Sequence, residues 1–186
     1  QIDQSLLPLL NLREKTLQNK NKRLKADLKK NHQVAYTVAK EAIVLLENDG
    51  VLPLQKGSKI GVIGNFASSP RVNGGGSASV LPYKLENPLE ELKKVFSVDF
   101  VKGYEEENTN QTLLLEVANV VKNNDTILYF TGTTEKLEVE GKEREHMNLP
   151  EGHLAVLHEI CKHGKNIIVV LNNGSSVNLT PVVNNV

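Results

Sequence analysis

Thr126-Ile127-Leu128-Tyr129-Phe130 and, after a loop and a helix-like segment, Asn166-Ile167-Ile168-Val169-Val170-Leu171 decide the fold. Both runs are short and almost wholly apolar, so both of their faces must be covered, as in a parallel sheet flanked by helices. Two further β-rich runs precede them, Lys59-Ile60-Gly61-Val62-Ile63-Gly64 and Val98-Asp99-Phe100-Val101. Helix-like segments at approximately 87–96, 111–123 and 150–163 separate successive runs. Strand, helix, strand, repeated with right-handed crossovers, predicts an α/β fold: an open, mostly parallel, doubly wound sheet of flavodoxin-like sandwich type. The chain stops at Asn184-Asn185-Val186 where another helix and strand would follow, so the expected domain is truncated at its C-terminal end.

Upstream, Val34, Ala35, Val38, Ala39, Ala42, Ile43, Leu45 and Leu46 recur at three and four residues, which predicts a helix from Asn31 to Asp49. Residues 1–31 hold an apolar patch, Ile2 to Leu12, and then a polar, Lys-rich stretch. They read as the end of a preceding element and a linker, with the α/β domain occupying 32–186. A length of 186 residues accommodates one ordinary domain and an appendage.

The 22 basic and 22 acidic residues cancel, so no net field draws nucleic acid or an anionic membrane surface. No apolar run approaches the roughly 18 residues needed to span a bilayer. The single cysteine, Cys161, lies within an apolar-periodic segment and reads as a small core side chain. An intramolecular disulfide is impossible, which fits a reducing compartment and a cytoplasmic location.

In doubly wound sheets ligands bind outside the carboxyl ends of the strands, which directs attention to loops 65–86, 104–110, 132–149 and the segment from Asn172 onward. The first contains Arg71-Val72-Asn73-Gly74-Gly75-Gly76-Ser77. Three glycines without Cβ atoms let a ligand or a second domain approach the backbone; the plain alternative is a flexible surface loop. The segment has neither G-x-G-x-x-G at a strand-to-helix turn nor G-x-x-x-x-G-K-[ST], which argues against a nucleotide. The third loop carries Glu135, Glu138, Glu140, Glu143 and Glu145 beyond a buried strand. There a carboxyl group can be desolvated and serve as a general acid, although such glutamates are ordinarily solvated charges. His146, His153, His158 and His163 fall mainly on a helix without cysteine partners, so no metal centre is expected, and nothing calls for a cofactor. Pro150 opens the next helix, where a missing N–H costs nothing.

Four stretches, in order, carry a resemblance: Ala39 through Leu54 (AKEAIVLLENDGVLPL); Ile60-Gly61-Val62-Ile63-Gly64 with Pro70-Arg71-Val72-Asn73-Gly74-Gly75-Gly76-Ser77; Glu138-Val139-Glu140-Gly141-Lys142-Glu143-Arg144 with Met147-Asn148-Leu149-Pro150; and Val169-Val170-Leu171-Asn172-Asn173-Gly174. Together they resemble the second, α/β domain of glycoside hydrolase family 3, of the β-glucosidase and β-xylosidase type. Ile2-Asp3-Gln4-Ser5-Leu6 through Lys15 is similar to the family's last barrel-side helix, which makes residues 1–31 the link from a TIM-barrel domain. The resemblance implies a retaining exo-β-glucosidase acting on terminal non-reducing β-D-glucosyl residues of a β-glucoside or oligosaccharide. An Asp nucleophile on the barrel and an acid/base Glu on the second domain would do the chemistry. The family's Glu-Gly pair matches Glu140, with Glu138 as the competing assignment because the E-x-E spacing makes them easy to exchange. Arg71, Gly74, Gly75, Gly76, Ser77 and Arg144 match positions that wall the substrate cleft. Two departures occur, Glu143 where the family usually has Asp and Asn73 where it usually has Gln. The chain alone is then expected to be inactive. The alternatives are a β-xylosidase of the same family or a free-standing carbohydrate-binding α/β module.

Overall fold

A computed structural model describes residues 2–20 and 25–183. The chain divides into two compact units, Gln1–Val44 and Leu45–Val186. The expectation drawn from residues 184–186, and part of the expected linker at 21–24, lie outside the described residues.

The first unit holds α1 (Ile2–Asn19) and α2 (Leu28–Ala42), and neither helix buries a residue. Asp27 caps α2 by accepting from the Lys30 amide at 3.0 Å, satisfying one of the orphan donors of a helix start. The helix predicted over 31–49 therefore begins three residues earlier and ends seven residues earlier. Ile43 already has extended backbone (φ −74°, ψ 125°). The apolar spacing of Ile43, Leu45 and Leu46 continues past this point, but β-branched Ile43 and Val44 weaken a helix end. Further on, the Asn48 side chain captures the backbone in a turn: its Oδ1 accepts from the Gly50 and Leu52 amides, and its Nδ2 donates to the Leu52 carbonyl.

The second unit is the predicted parallel α/β sheet. Its strands are β1 (Lys59–Ile63), β2 (Ser97–Val101), β3 (Thr126–Gly132) and β4 (Asn166–Asn172), ordered β2-β1-β3-β4 and all parallel. Register runs from Lys59 opposite Ser97 to Ile63 opposite Val101, and from Thr126 opposite Asn166 to Gly132 opposite Asn172. Between the strands lie α3 (Asn65–Ser68), α4 (Pro88–Lys93), α5 (Gln111–Lys122) and α6 (Glu151–Cys161), and α7 (Thr180–Val183) follows β4. The helix expected at 87–96 is only α4, capped by Asn87, whose Oδ1 accepts from the Leu89 and Glu90 amides.

Strand alternation sends side chains to two cores. Ile63, Ile127 and Tyr129 pack with Val117, Val121, Val156, Leu157 and Ile160 of α5 and α6. Ile60, Val62 and Leu128 pack on the other face with Ala67 of α3 and Leu89 of α4. Both faces of the central strands are thus covered, as their unbroken apolar runs require.

His153, grouped above with helix histidines, is fully buried and ties α6 to the sheet rim. Its Nε2 faces the Glu106 carbonyl at 2.7 Å and its Nδ1 the Thr131 hydroxyl at 2.9 Å, while its ring stacks on Tyr104 at 3.7 Å between centroids. A carbonyl only accepts, so these partners assign the proton to Nε2 and leave Nδ1 accepting from Thr131. Burial lowers the His153 pKa from 6.5 to about 4. The unfolded ring protonates first as the medium acidifies, so the folded state loses stability between pH 6.5 and 4, by about 3 kcal/mol in all. Urea unfolding is expected to show that loss, and a His153→Gln variant, lacking the titrating ring, is expected to show a flatter profile over the same interval.

Candidate active site

Three loops leave the carboxyl edge of the sheet close together: that after β1, that after β3 and that after β4. Thr133, just past β3, donates its amide to the Asn172 carbonyl at 3.1 Å, so the last two loops start from a shared hydrogen bond. Gly132 makes this closeness possible; a Cβ there would lie 1.8 Å from the Asn172 carbonyl oxygen.

Glu138 is the point on which the loops converge. Its side chain is only 12% exposed and forms an ion pair with Arg71, itself 8% exposed. Oε1 also accepts from the Thr133 hydroxyl at 2.7 Å, the Ser175 hydroxyl at 2.9 Å and the Gly174 and Ser175 amides at 3.0 Å each. Burial alone would raise the pKa of this carboxyl, but the guanidinium of Arg71 and the hydroxyls of Thr133 and Ser175 outweigh it and hold the group down at about 2. Glu138 is consequently a tie between loops that stays ionised at ordinary pH.

Arg71 completes the tie. Its Nη1 donates to the Thr133 carbonyl at 2.8 Å and hydroxyl at 2.9 Å, and its own carbonyl accepts from Asn172 Nδ2 at 3.0 Å. Arg144 holds the far side, donating from Nη1 to the Ser175 hydroxyl at 2.6 Å and the Ser176 carbonyl at 3.0 Å. Asn73 closes its own loop by donating to the Val80 carbonyl at 3.1 Å.

The triple glycine finds its close neighbour within the same domain. Gly75 pairs with Val139 in a parallel bridge and donates its amide to the Glu138 carbonyl at 3.0 Å. A Cβ on Gly75 would stand 2.8 Å from the Glu135 carbonyl oxygen, and one on Gly74 would stand 3.1 Å from that of Glu138. The segment is ordered against the acidic loop, and the backbone it admits is that of residues 135–139.

Glu140 lies two residues beyond Glu138 in a different setting. Its side chain is exposed, and Oε2 accepts from the Ser77 hydroxyl at 2.8 Å. The two candidate carboxylates are thus separated physically, one enclosed by donors and the other open at the rim beside the glycine segment. A recess of about 380 Å³ adjoins the glycine segment, lined by Gly75, Gly76, Glu135, Lys136, Val139 and Lys142. A second recess of about 270 Å³ runs along Arg71, Asn73, Gly74, Glu138, Asn172 and Asn173.

Among the residues singled out from sequence, Arg71, the three glycines, Ser77, Glu138 and Glu140 therefore meet directly, and Arg144 joins them through Ser175. Glu143 and Glu145 are exposed and stand apart from this network. Thr133, Asn172, Gly174 and Ser175 were not foreseen as site residues. Their signal lies in short runs of small polar residues, Thr131-Gly132-Thr133-Thr134 and Asn172-Asn173-Gly174-Ser175-Ser176, that end the apolar strands β3 and β4 and continue past them at the sheet's carboxyl edge.

Residues 43–186 match the glycosyl hydrolase family 3 C-terminal domain. The chain is 35% identical over 170 residues to thermostable β-glucosidase B of Acetivibrio thermocellus, an alignment covering 88% of this chain and 22% of that protein. It is 33% identical over 195 residues to an exo-α-(1→6)-L-arabinopyranosidase of Bifidobacterium longum, covering 98% and 26% respectively. The crystal structure of a family 3 β-glucosidase from Bifidobacterium adolescentis superposes with a TM-score of 0.78 at 36% identity, over 87% of this chain and 24% of that one. The chain spans about a quarter of the length of the curated relatives it matches. No helix among the described residues is long and apolar enough to cross a membrane.

Proposed function

Because this chain belongs to glycoside hydrolase family 3, whose C-terminal domain it carries over residues 43–186, we propose that it supplies the acid/base half of a retaining exo-β-glucosidase, with Glu140 as the proton donor. The observation that carries this reading is the contrast between the two candidate carboxylates. Glu138 spends its oxygens on Arg71, Thr133, Gly174 and Ser175 and stays ionised with its pKa near 2, which disqualifies it as an acid at ordinary pH. Glu140 is exposed at the rim with one oxygen bound to Ser77 and the other free of partners among the described residues.

In the first step the Glu140 O–H bond breaks and its proton passes to the glycosidic oxygen, while the bond from that oxygen to the anomeric carbon breaks toward the leaving group. The nucleophile, an Asp of a TIM-barrel domain N-terminal to this one, forms the new bond to that carbon. In the second step the Glu140 carboxylate takes a proton from water, the water oxygen bonds to the anomeric carbon as the bond from that carbon to the Asp breaks, and the sugar leaves with its configuration retained. The two carboxyl groups of a retaining pair stand roughly 5–5.5 Å apart, so the rim at 138–140 would face the barrel's sugar site. The substrate is a β-glucoside or oligosaccharide with a terminal non-reducing β-D-glucosyl residue.

The chain by itself then has half of a catalytic pair. An assay of the isolated chain with 4-nitrophenyl β-D-glucoside is expected to show no turnover above buffer. Saturable hydrolysis abolished by Glu140→Gln would overturn the division of labour proposed here.

A further inference from the structure

The contact between the glycine segment and the acidic loop has a second element besides the Gly75 bridge. Ser77 sits in a 3-10 turn, Gly76–Ala78, closed by the Ser79 amide donating to the Gly76 carbonyl at 3.0 Å. From that turn its hydroxyl reaches Glu140 Oε2 at 2.8 Å, 63 residues away in sequence. Two residues earlier on the same segment, the Gly75 amide holds the Glu138 carbonyl, so residues 138 and 140 are gripped from one side at both positions. Among the described residues, Ser77 provides the one side chain bonded to Glu140, and Oε1 has no partner.

We propose that Ser77 is a positioning residue for proton transfer: its hydroxyl occupies Glu140 Oε2 and thereby leaves Oε1 as the oxygen that carries the proton to the glycosidic bond. This rests on Glu140 being the acid/base, as proposed above. An exposed glutamate has several rotatable bonds and, unheld, samples many rotamers; a proton donor acts only within about 3 Å of its target in the reacting geometry. One hydrogen bond from that turn removes much of that freedom. It also distinguishes two chemically equivalent oxygens, since Oε2 is bound to Ser77 and Oε1 is left without a partner among the described residues. Ser77 touches neither sugar nor leaving group in this role. Its effect passes entirely through Glu140, and it matters only where protonation of the leaving group is required.

The experiment uses the longer enzyme that contains this domain, with Ser77→Ala, Ser77→Thr and Glu140→Gln compared on two substrates. 2,4-Dinitrophenyl β-D-glucoside has a leaving group that departs without protonation, and phenyl β-D-glucoside has one that needs it. The reading is kcat/KM, which reports the glycosylation step. Ser77→Ala is expected to lower kcat/KM for the phenyl glucoside about tenfold, the scale of one charge-assisted hydrogen bond. The dinitrophenyl value is expected to stay within about twofold, and Ser77→Thr, which keeps the hydroxyl, to restore most of the loss. Equal losses on both substrates, or no recovery with Thr, would make Ser77 a merely structural residue and overturn the proposal. If Glu140→Gln shows the selective loss and Ser77→Ala does not, the proposal about Ser77 fails while the assignment of Glu140 stands. If Glu140→Gln itself leaves the phenyl glucoside unaffected, the assignment of Glu140 fails and the proposal falls with it.

Discussion

Replacing Glu140 by Gln in the enzyme that carries this domain is expected to lower kcat/KM for phenyl β-D-glucoside by roughly 10²- to 10⁴-fold, the usual contribution of a positioned general acid. The same substitution is expected to leave 2,4-dinitrophenyl β-D-glucoside nearly unchanged in kcat/KM, because that phenolate departs unprotonated. Its kcat would fall nonetheless, since the second step needs the carboxylate as a base, and KM would fall with it as the glycosyl intermediate accumulates. The distinction follows from chemistry at one atom: a glutamine cannot supply the proton that a poor leaving group needs. A loss that is the same for both leaving groups would mean that residue 140 shapes the cleft without transferring a proton. Burst kinetics with the dinitrophenyl substrate give an independent reading of the accumulated intermediate.

The second large effect concerns folding. Arg71 and Glu138 are both about nine-tenths buried, and breaking such a pair by removing one partner leaves an uncompensated charge. Arg71→Ala is expected to cost about 3–5 kcal/mol of unfolding free energy, measurable by urea denaturation. Replacing both partners by apolar residues, as in Arg71→Met with Glu138→Leu, is expected to recover part of this loss. The other donors to Glu138, from Thr133, Gly174 and Ser175, would still lose their acceptor. The pH dependence follows with a definite sign. The carboxyl pKa is depressed from 4.5 to about 2 in the fold, so the stabilisation is complete above pH 4.5 and is lost as pH falls from there toward 2, amounting to about 3 kcal/mol. The buried neutral ring of His153 loses its contribution at higher pH, from 6.5 downward. Acid is therefore expected to weaken the domain in two successive intervals, the histidine's first.

The sheet was legible because its strands are coded locally. Ile127 to Phe130 and Ile167 to Leu171 are apolar without interruption, and only a strand covered on both faces accommodates that pattern. The observed strands differ from the expected ones by no more than two residues at an end, and α5 and α6 fall where three- and four-residue spacing places them. The spacing of Ile43, Leu45 and Leu46 continues a helical rhythm past the end of α2, whereas the turn built by the Asn48 side chain answers to hydrogen bonds that spacing does not record.

The candidate site was legible in its location and less so in its wiring. Its residues lie on the loops at the carboxyl ends of the strands, where sheet topology directs ligands. The E-x-E pair could not be divided into roles from its own neighbours. The partners that enclose Glu138 come from Arg71, 67 residues upstream, and Ser175, 37 residues downstream, and the partner of Glu140 is 63 residues away. The same distance in sequence hid His153, whose Glu106 carbonyl partner is 47 residues earlier. The glycine run predicts close approach of a ligand or a second domain to the backbone, and within this domain residues 135–139 already approach it closely, because a glycine shows that something can come near but not what does.

The assignment of residue 140 is tested most directly by removing its carboxyl group and offering an external nucleophile. A Glu140→Ala variant of the longer enzyme, given 2,4-dinitrophenyl β-D-glucoside and sodium azide, is expected to turn over faster as azide rises and to release β-glucosyl azide. The space left by the side chain admits an anion that needs no base. Release of β-glucosyl azide by a Glu138→Ala variant instead, or no acceleration of Glu140→Ala by azide, would contradict the account.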